Sequence, residues 1–314
     1  MAPTALDRLV DQAAAGGVRA AGRLISAIED DAPVRRELAA RLAPVTGRAH
    51  VVGLTGAPGV GKSSTVAGLV GLFREAGRRV GVLALDPSSP FTGGALLGDR
   101  VRMQRFATDD KVFIRSMSSR GALGGLSAAA PQALRVFDLI GCDVVLVETV
   151  GVGQSEVDVV DASDTTVVLL APGMGDGVQA AKAGVLEIAD LFCVNKADRD
   201  GAQAVVRELR TTVALTSRAP GQWKPPVLTT VAATGEGLPA LVEALDRHRA
   251  HAEADGTRGR RRVRRARVEV EALVVGTLRA RWSRGQTGLD ALAAEVAAGR
   301  LDPYAAADTV LARS

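Results

Sequence analysis

The stretch GAPGVGKS, Gly56 to Ser63, matches the spacing G-x-x-x-x-G-K-[ST] at every position. Glycines at 56, 59 and 61 free the backbone to turn its N–H groups inward, where they can surround phosphate oxygens. Lys62 is long enough to reach the β- and γ-phosphates of a nucleotide, and the Ser63 hydroxyl is suited to Mg2+. With Ala57, Pro58, Val60 and Ser64, these residues make Gly56 to Ser64 a continuous candidate for phosphate binding. A lysine after a glycine-rich turn also arises by chance. Here, however, the β-favouring run HVVGLT precedes the loop and the helical pattern STVAGLVGLFREAG follows it. A helix starting at the loop adds its positive end to the site.

Phosphate transfer with a metal ion needs carboxylates. Asp86 closes the apolar run GVLALD, Asp99 ends the Ser/Pro/Gly-rich segment after it, and Glu148 closes DVVLVE. A lone acid at a strand end is usually a solvated cap, and DPSSP by itself reads as a turn. Two strand ends at one sheet edge, with Asp99 on the adjoining loop, would instead deliver Asp86, Asp99 and Glu148 to the same Mg2+-phosphate position as Ser63. Whether each acid touches the metal directly or through water is open. The glycines after Glu148 would let a backbone N–H approach the γ-phosphate.

NKAD, Asn195 to Asp198, follows the apolar run LFCVN. The tetrapeptide suits guanine: the Asp198 carboxylate accepts from the ring N–H and the exocyclic amine, donors that adenine lacks at that edge. A buried acceptor left unpaired is costly, so such a pair discriminates strongly. Lys196 would lay its aliphatic stem along the base. Val231, Ala232 and Ala233 follow the last β-favouring run and suit a backbone loop closing over the base.

The elements that must hold these residues follow from periodicity. β-favouring runs fall at 50–55, 79–85, 111–116, 143–148, 165–171, 191–195 and 226–230, with helical patterns between most of them. This predicts an α/β fold of the P-loop NTPase kind, a mostly parallel sheet covered by helices on both faces. Residues 1–48 read as a helical N-terminal extension, 49–250 as the nucleotide-binding domain and 251–314 as a helical C-terminal arm, with breaks near Gly285 and Pro303.

The 314 residues are 47% apolar and 3% aromatic, which suits aliphatic packing in a large α/β core. No apolar run reaches the roughly 18–20 residues a membrane span requires, and the N-terminus lacks the layout of a signal peptide, so a cytoplasmic protein is expected. Cys142 and Cys193 each lie in or beside a predicted buried strand, and with three histidines and no Cys-x-x-Cys they read as inert thiols. The net charge of +4 is local: RGRRRVRRAR, Arg258 to Arg267, holds seven arginines, so the rest of the chain carries 4 − 7 = −3. No aromatic residue interleaves with that run, which argues against nucleic acid and for an arm helix with solvated arginines that packs against a second subunit.

Taken in order, TGAPGVGKSS, LDPSSPFTGGALLGDRVRM, SRGALGG, ETVGVGQSE and VNKAD resemble the methylmalonyl-CoA mutase-associated GTPases of the MeaB/ArgK type, relatives of the metallochaperone P-loop GTPases. The resemblance spans about 50 to 250. It implies Lys62 and Ser63 as phosphate and Mg2+ contacts, and Asp86 and Asp99 as the two loop aspartates tied to metal binding and hydrolysis. It places Glu148 at the usual Asp of D-x-x-G, Asn195 and Asp198 as the guanine reader, and Val231 to Ala233 as the base-closing loop. It further implies GTP as substrate, GDP as product, and a dimer through the C-terminal arm. The partner would be an adenosylcobalamin-dependent acyl-CoA mutase, whose cofactor loading and protection the GTPase controls, with no cobalamin site of its own. One segment departs: GDGVQAAKAG, Gly175 to Gly184, keeps Asp176, Gln179 and Lys182 but has Gly177 and Ala183 where the family pattern has Glu and a second Lys. In the family that segment signals to the mutase.

Two other readings compete, the first of them within the same broad class. A metallochaperone GTPase would show Cys/His ligands near the N-terminus, and none precedes His50. An ATP-using kinase acting on a transport protein would have no use for a guanine reader. Because no glutamine follows Glu148-x-x-Gly151 directly, hydrolysis is expected to be slow alone and to be completed by a partner.

Overall fold

The computed structural model describes residues 4–30, 32–86, 104–106, 108–118, 129–149, 162–173, 188–284 and 288–312. Among them seven strands form one parallel sheet: β1 (His50–Thr55), β2 (Val80–Asp86), β3 (Val112–Ser118), β4 (Val144–Thr149), β5 (Thr165–Leu170), β6 (Leu191–Asn195) and β7 (Val227–Thr230), in the order β3-β2-β4-β1-β5-β6-β7. Each expected strand is present. The order reverses around β1, and in such sheets ligands bind beyond the carboxyl ends of the strands at the reversal.

Strand side chains alternate between the faces, and both faces are covered. Val52, Leu54, Val82, Val144 and Leu146 pack against α4 (Lys62–Glu75), through Val66, Leu69, Val70 and Phe73, and against Leu241 and Leu245 of α7 (Leu238–Ala254). Val51, Leu83, Leu85, Val145 and Val147 face the opposite way. There they meet α5 (Ala130–Leu139) and the N-terminal helices α1 (Ala5–Ala14), α2 (Val18–Asp30) and α3 (Ala32–Leu42). Leu24, Ile25 and Ile28, on one stripe of α2, are fully buried in that layer, each contributing on the order of 1.5–3 kcal/mol. The N-terminal helices thus cover one face of the sheet. α6 (Ala202–Leu215) covers β5 and β6 on that same face through Val205, Val206 and Leu209.

Asp138 at the end of α5 fixes where the N-terminal helices feed into β1. Its carboxylate accepts from the backbone N–H groups of Gly47 (2.6 Å), Arg48 (3.0 Å) and Ala49 (2.8 Å). Charge-assisted bonds of this kind are among the strong ones.

The chain divides into two compact units, Met1–Val263 and Arg264–Ser314. α8 (Thr257–Arg284) begins in the first unit, and α9 (Leu289–Ala297) and α10 (Pro303–Ala312) follow in the second. The expectation that the arginine run is solvated is corrected for its first turns. Arg261 holds Asp190, just before β6, with two bonds of 2.6 and 2.7 Å, and donates to the Asp164 carbonyl at 2.8 Å. Arg258 and Arg262 lie 3.6 and 3.4 Å from the Asp164 carboxylate, just before β5. The acids sit at the amino ends of two strands, and the helix lays one arginine face over them. Arg267 and Arg260 stay largely exposed.

The two thiols are buried as expected. Burial pushes Cys142 up to about 12 and Cys193 up to about 11, so neither is a thiolate near neutral pH.

Candidate nucleotide site

The loop between β1 and α4 is built on glycine conformations. Gly56 (φ +142°) lies against the Leu169 carbonyl and Gly61 (φ +97°) against Asn195 Nδ2; a Cβ on either would collide with that atom. Lys62 opens α4, is buried, and donates to the carbonyls of Gly56 (2.8 Å) and Ala57 (3.2 Å), so its ammonium lies across the loop. Val60 is buried, while Pro58 and Gly59 are exposed and Ser64 is half-buried.

Glu148 reaches this loop because of strand parity. It lies in phase with Val144 and Leu146, which face α4, and it pairs in register between Leu54 of β1 and Ala84 of β2. Ser63 is the second residue of α4, and its hydroxyl donates to Glu148 Oε1 at 2.6 Å. Both side chains are buried, with Glu148 4% exposed. A hydroxyl and a carboxylate at a helix N-terminus are the oxygen donors Mg2+ takes from protein, with water and phosphate supplying the remainder. The pair therefore fits the ion. Among the described residues, no group of three or more His, Cys, Asp or Glu gathers at metal-binding distance.

Asn195 is placed by the same parity, in phase with Leu191 and Cys193, which face α4 and α7. Its Nδ2 donates to the Val60 carbonyl at 2.7 Å, and its Oδ1 accepts from Ala232 N–H (3.0 Å) and the Thr230 hydroxyl (3.2 Å). One buried amide thus ties together the loop after β1, the end of β7 and the loop after it. Lys196 adopts φ +56°, among the described residues the one non-glycine position with positive φ, and its Nζ donates to the Gly59 carbonyl at 2.7 Å. Strained backbone of this kind collects at ligand sites. Asp198 is exposed, Val231 and Ala232 are half-buried and Ala233 is exposed, on the turn where Val231 bridges to Glu236.

The structure thus brings Gly56 to Ser64, Glu148, Asn195, Lys196 and the Val231–Ala233 turn to one edge of the sheet. Asp86 is described in its backbone, as the last residue of β2 at that edge. Asp99, the loop after Glu148 that includes Gly151 and Gln154, and the Gly175–Gly184 segment lie outside the described residues. Thr230 was not singled out from sequence. Its signal was available: it ends the last β-favouring run, in register with Asn195.

The chain is similar to known proteins over most of its length. A family profile described as methylmalonyl Co-A mutase-associated GTPase MeaB matches residues 21–287. A Pyrococcus horikoshii protein named as a GTPase is 45% identical over 308 residues, covering 98% of this chain and 97% of that one. The Mus musculus mitochondrial methylmalonic aciduria type A homolog is 39% identical over 197 residues, 62% of this chain and 48% of that protein. Among solved structures, one titled LAO/AO transport system kinase superposes with a TM-score of 0.71 at 24% identity, covering 97% of this chain and 96% of the other, a likeness of fold.

Proposed function

The chain belongs to the methylmalonyl Co-A mutase-associated GTPases, and from that premise we propose that it binds GTP at the β1–α4 loop, hydrolyses it to GDP and phosphate, and uses that cycle to control an adenosylcobalamin-dependent acyl-CoA mutase. The observation that carries the nucleotide part is the 2.6 Å bond between Ser63 and Glu148, which sets a hydroxyl and a carboxylate together beneath a phosphate-binding loop. The guanine preference is supported by the Asn195 amide, which positions the 195–198 reader against that loop.

In this reading the backbone N–H groups of Gly56 to Ser64 bind the β- and γ-phosphates. Lys62 exchanges the Gly56 and Ala57 carbonyls for phosphate oxygens, placing its charge where negative charge builds up as the terminal bond breaks. Mg2+, held by Ser63 and Glu148 with Asp86 and Asp99 as further candidates, would neutralise the phosphates when bound. Glu148 keeps Ser63 oriented toward the ion. The oxygen of a water bonds to the γ-phosphorus as the bond to the bridging oxygen breaks; GDP leaves with that electron pair, and the water's protons go to the phosphate product. Asp198 accepts from guanine while the Val231–Ala233 turn closes over the base.

The partner role, the dimer through the C-terminal arm, a cytoplasmic site of action and the lack of a cobalamin site of its own extend the family reading. No helix of the described residues is long and apolar enough to cross a membrane. Steady-state GTP turnover with and without the host's adenosylcobalamin-dependent mutase tests the coupling. A rise of about tenfold or more is expected from completing the water- and charge-positioning geometry. An unchanged rate would sink the coupling and leave the nucleotide assignment standing.

A further inference from the structure

We propose that the chain carries a second ligand site, for a small oxyanion, at the amino-end edge of the sheet, away from the nucleotide loop. A cavity of about 250 Å3 opens there between the segment 216–225, α7 and the first turns of α8. Its chemistry is set by Asp190, Arg218, Gln222, Trp223, His251 and Arg261.

The acid at its floor is already neutralised. Asp190 takes two bonds from Arg261, one from the Thr166 N–H at 2.8 Å, and lies 3.2 Å from His248 Nε2. Burial alone would raise its pKa, but the hydrogen bonds from His248 and Arg261 hold it down at about 2. Trp223 forms a wall, its Nε1 spent on the Asp190 carbonyl at 2.8 Å and its ring 5.0 and 5.3 Å from the rings of His248 and His251. Asp255, at the rim, is exposed and accepts from the N–H and hydroxyl of Thr257.

What the cavity leaves unused is a set of donors. Arg218 spends Nη1 on the carbonyls of Val213 (2.5 Å) and Thr216 (3.2 Å), and its Nε and Nη2 have no partner among the described residues. Gln222 accepts through Oε1 from the Ala219 N–H, which leaves its amide NH2 to donate. A guanidinium without a carboxylate partner among the described residues repels cations, and an apolar occupant would cost the half-buried Arg218 and the exposed Gln222 their hydration. An oxygen-rich anion offers acceptors to the unused N–H groups of Arg218 and Gln222, and charge-assisted bonds to a guanidinium are strong. The volume lies below the usual range for cofactor clefts, so the ligand is a small phosphate or carboxylate and not a nucleotide. Through Arg261 and Asp190 its occupancy bears on the anchor of α8.

The test uses the full chain saturated with GDP and Mg2+, so that the phosphate loop is filled. Trp223 and Trp282 are the two tryptophans, and a Trp282→Phe background leaves Trp223 as the reporter. Inorganic phosphate and acetate are titrated at constant ionic strength against chloride. A saturable change in Trp223 fluorescence with either anion is expected, weakened at least tenfold in Arg218→Gln and at least threefold in Gln222→Leu, with GDP affinity unchanged in both. The anion that saturates assigns the ligand as phosphate or carboxylate. No saturable change with either anion, or equal affinity in a folded variant, overturns the site. If one variant fails to fold, the other carries the comparison.

Discussion

The proposed chemistry centres on Glu148 and Ser63, where a 2.6 Å bond between two buried oxygens joins a strand end to a helix start. Glu148→Ala removes the carboxylate while leaving the loop's N–H groups in place. Single-turnover GTP hydrolysis is expected to fall on the order of 100-fold, with GDP affinity by calorimetry changed only a few-fold; hydrolysis at the wild-type rate would refute the role given to Glu148. Gly61 has a different constraint. At φ +97°, with Asn195 Nδ2 where a Cβ would go, Gly61→Ala should cost more than about 1 kcal/mol in urea unfolding and also weaken GDP binding. Unaltered stability and affinity together would show that the loop tolerates a shift this geometry does not allow. These residues were readable in the sequence because the glycine, lysine and hydroxyl spacing is dictated by phosphate geometry. That Asn195 braces the loop through Val60 was not, since it depends on two segments 135 residues apart meeting in space.

The seven strands were legible because buried parallel strands read as short apolar runs, and parity within DVVLVE even determines that Glu148 faces α4. Less legible was the opposite edge of the sheet, where the same strands begin. His50 opens β1 at 1% exposure, its Nε2 2.7 Å from the Thr165 hydroxyl, which in turn lies 2.8 Å from His248 Nδ1. Two histidines about two hundred residues apart gave no hint of this chain, since only the tertiary fold brings them within reach of Thr165. Burial is the largest influence on His50; Asp164 opposes it, Arg249, Arg258 and His248 reinforce it, and the pKa falls to about 4. The unfolded imidazole titrates near 6.5, so between these values the unfolded chain binds the extra proton. Stability is therefore full above about pH 6.5 and falls as the pH drops toward 4, by about 3 kcal/mol from this group. Urea midpoints between pH 7 and 4.5 should fall less steeply in His50→Gln than in the wild type. Identical slopes would mean that His50 is not held neutral by the fold.

For the whole molecule, the sheet order puts two different chemistries at its two edges. The carboxyl ends carry the β1–α4 loop, Glu148 and the Asn195–Asp198 segment, and the amino ends carry the acids that receive Arg258, Arg261 and Arg262. A charge count along the sequence could read the arginine run only as a basic stretch. Asp164 and Asp190, its partners, are distant in sequence and look like ordinary surface acids until the strands are assembled. The sequence motifs, by contrast, are legible on their own, because each is a local spacing that suits a phosphate or a base. Calorimetric titration of the whole chain with GDP and with ADP in Mg2+ tests most directly whether the carboxyl-end edge is a guanine-nucleotide site. GDP should bind at least about 100-fold tighter, because adenine leaves the Asp198 carboxylate without its donors. Comparable affinities for the two nucleotides would contradict it.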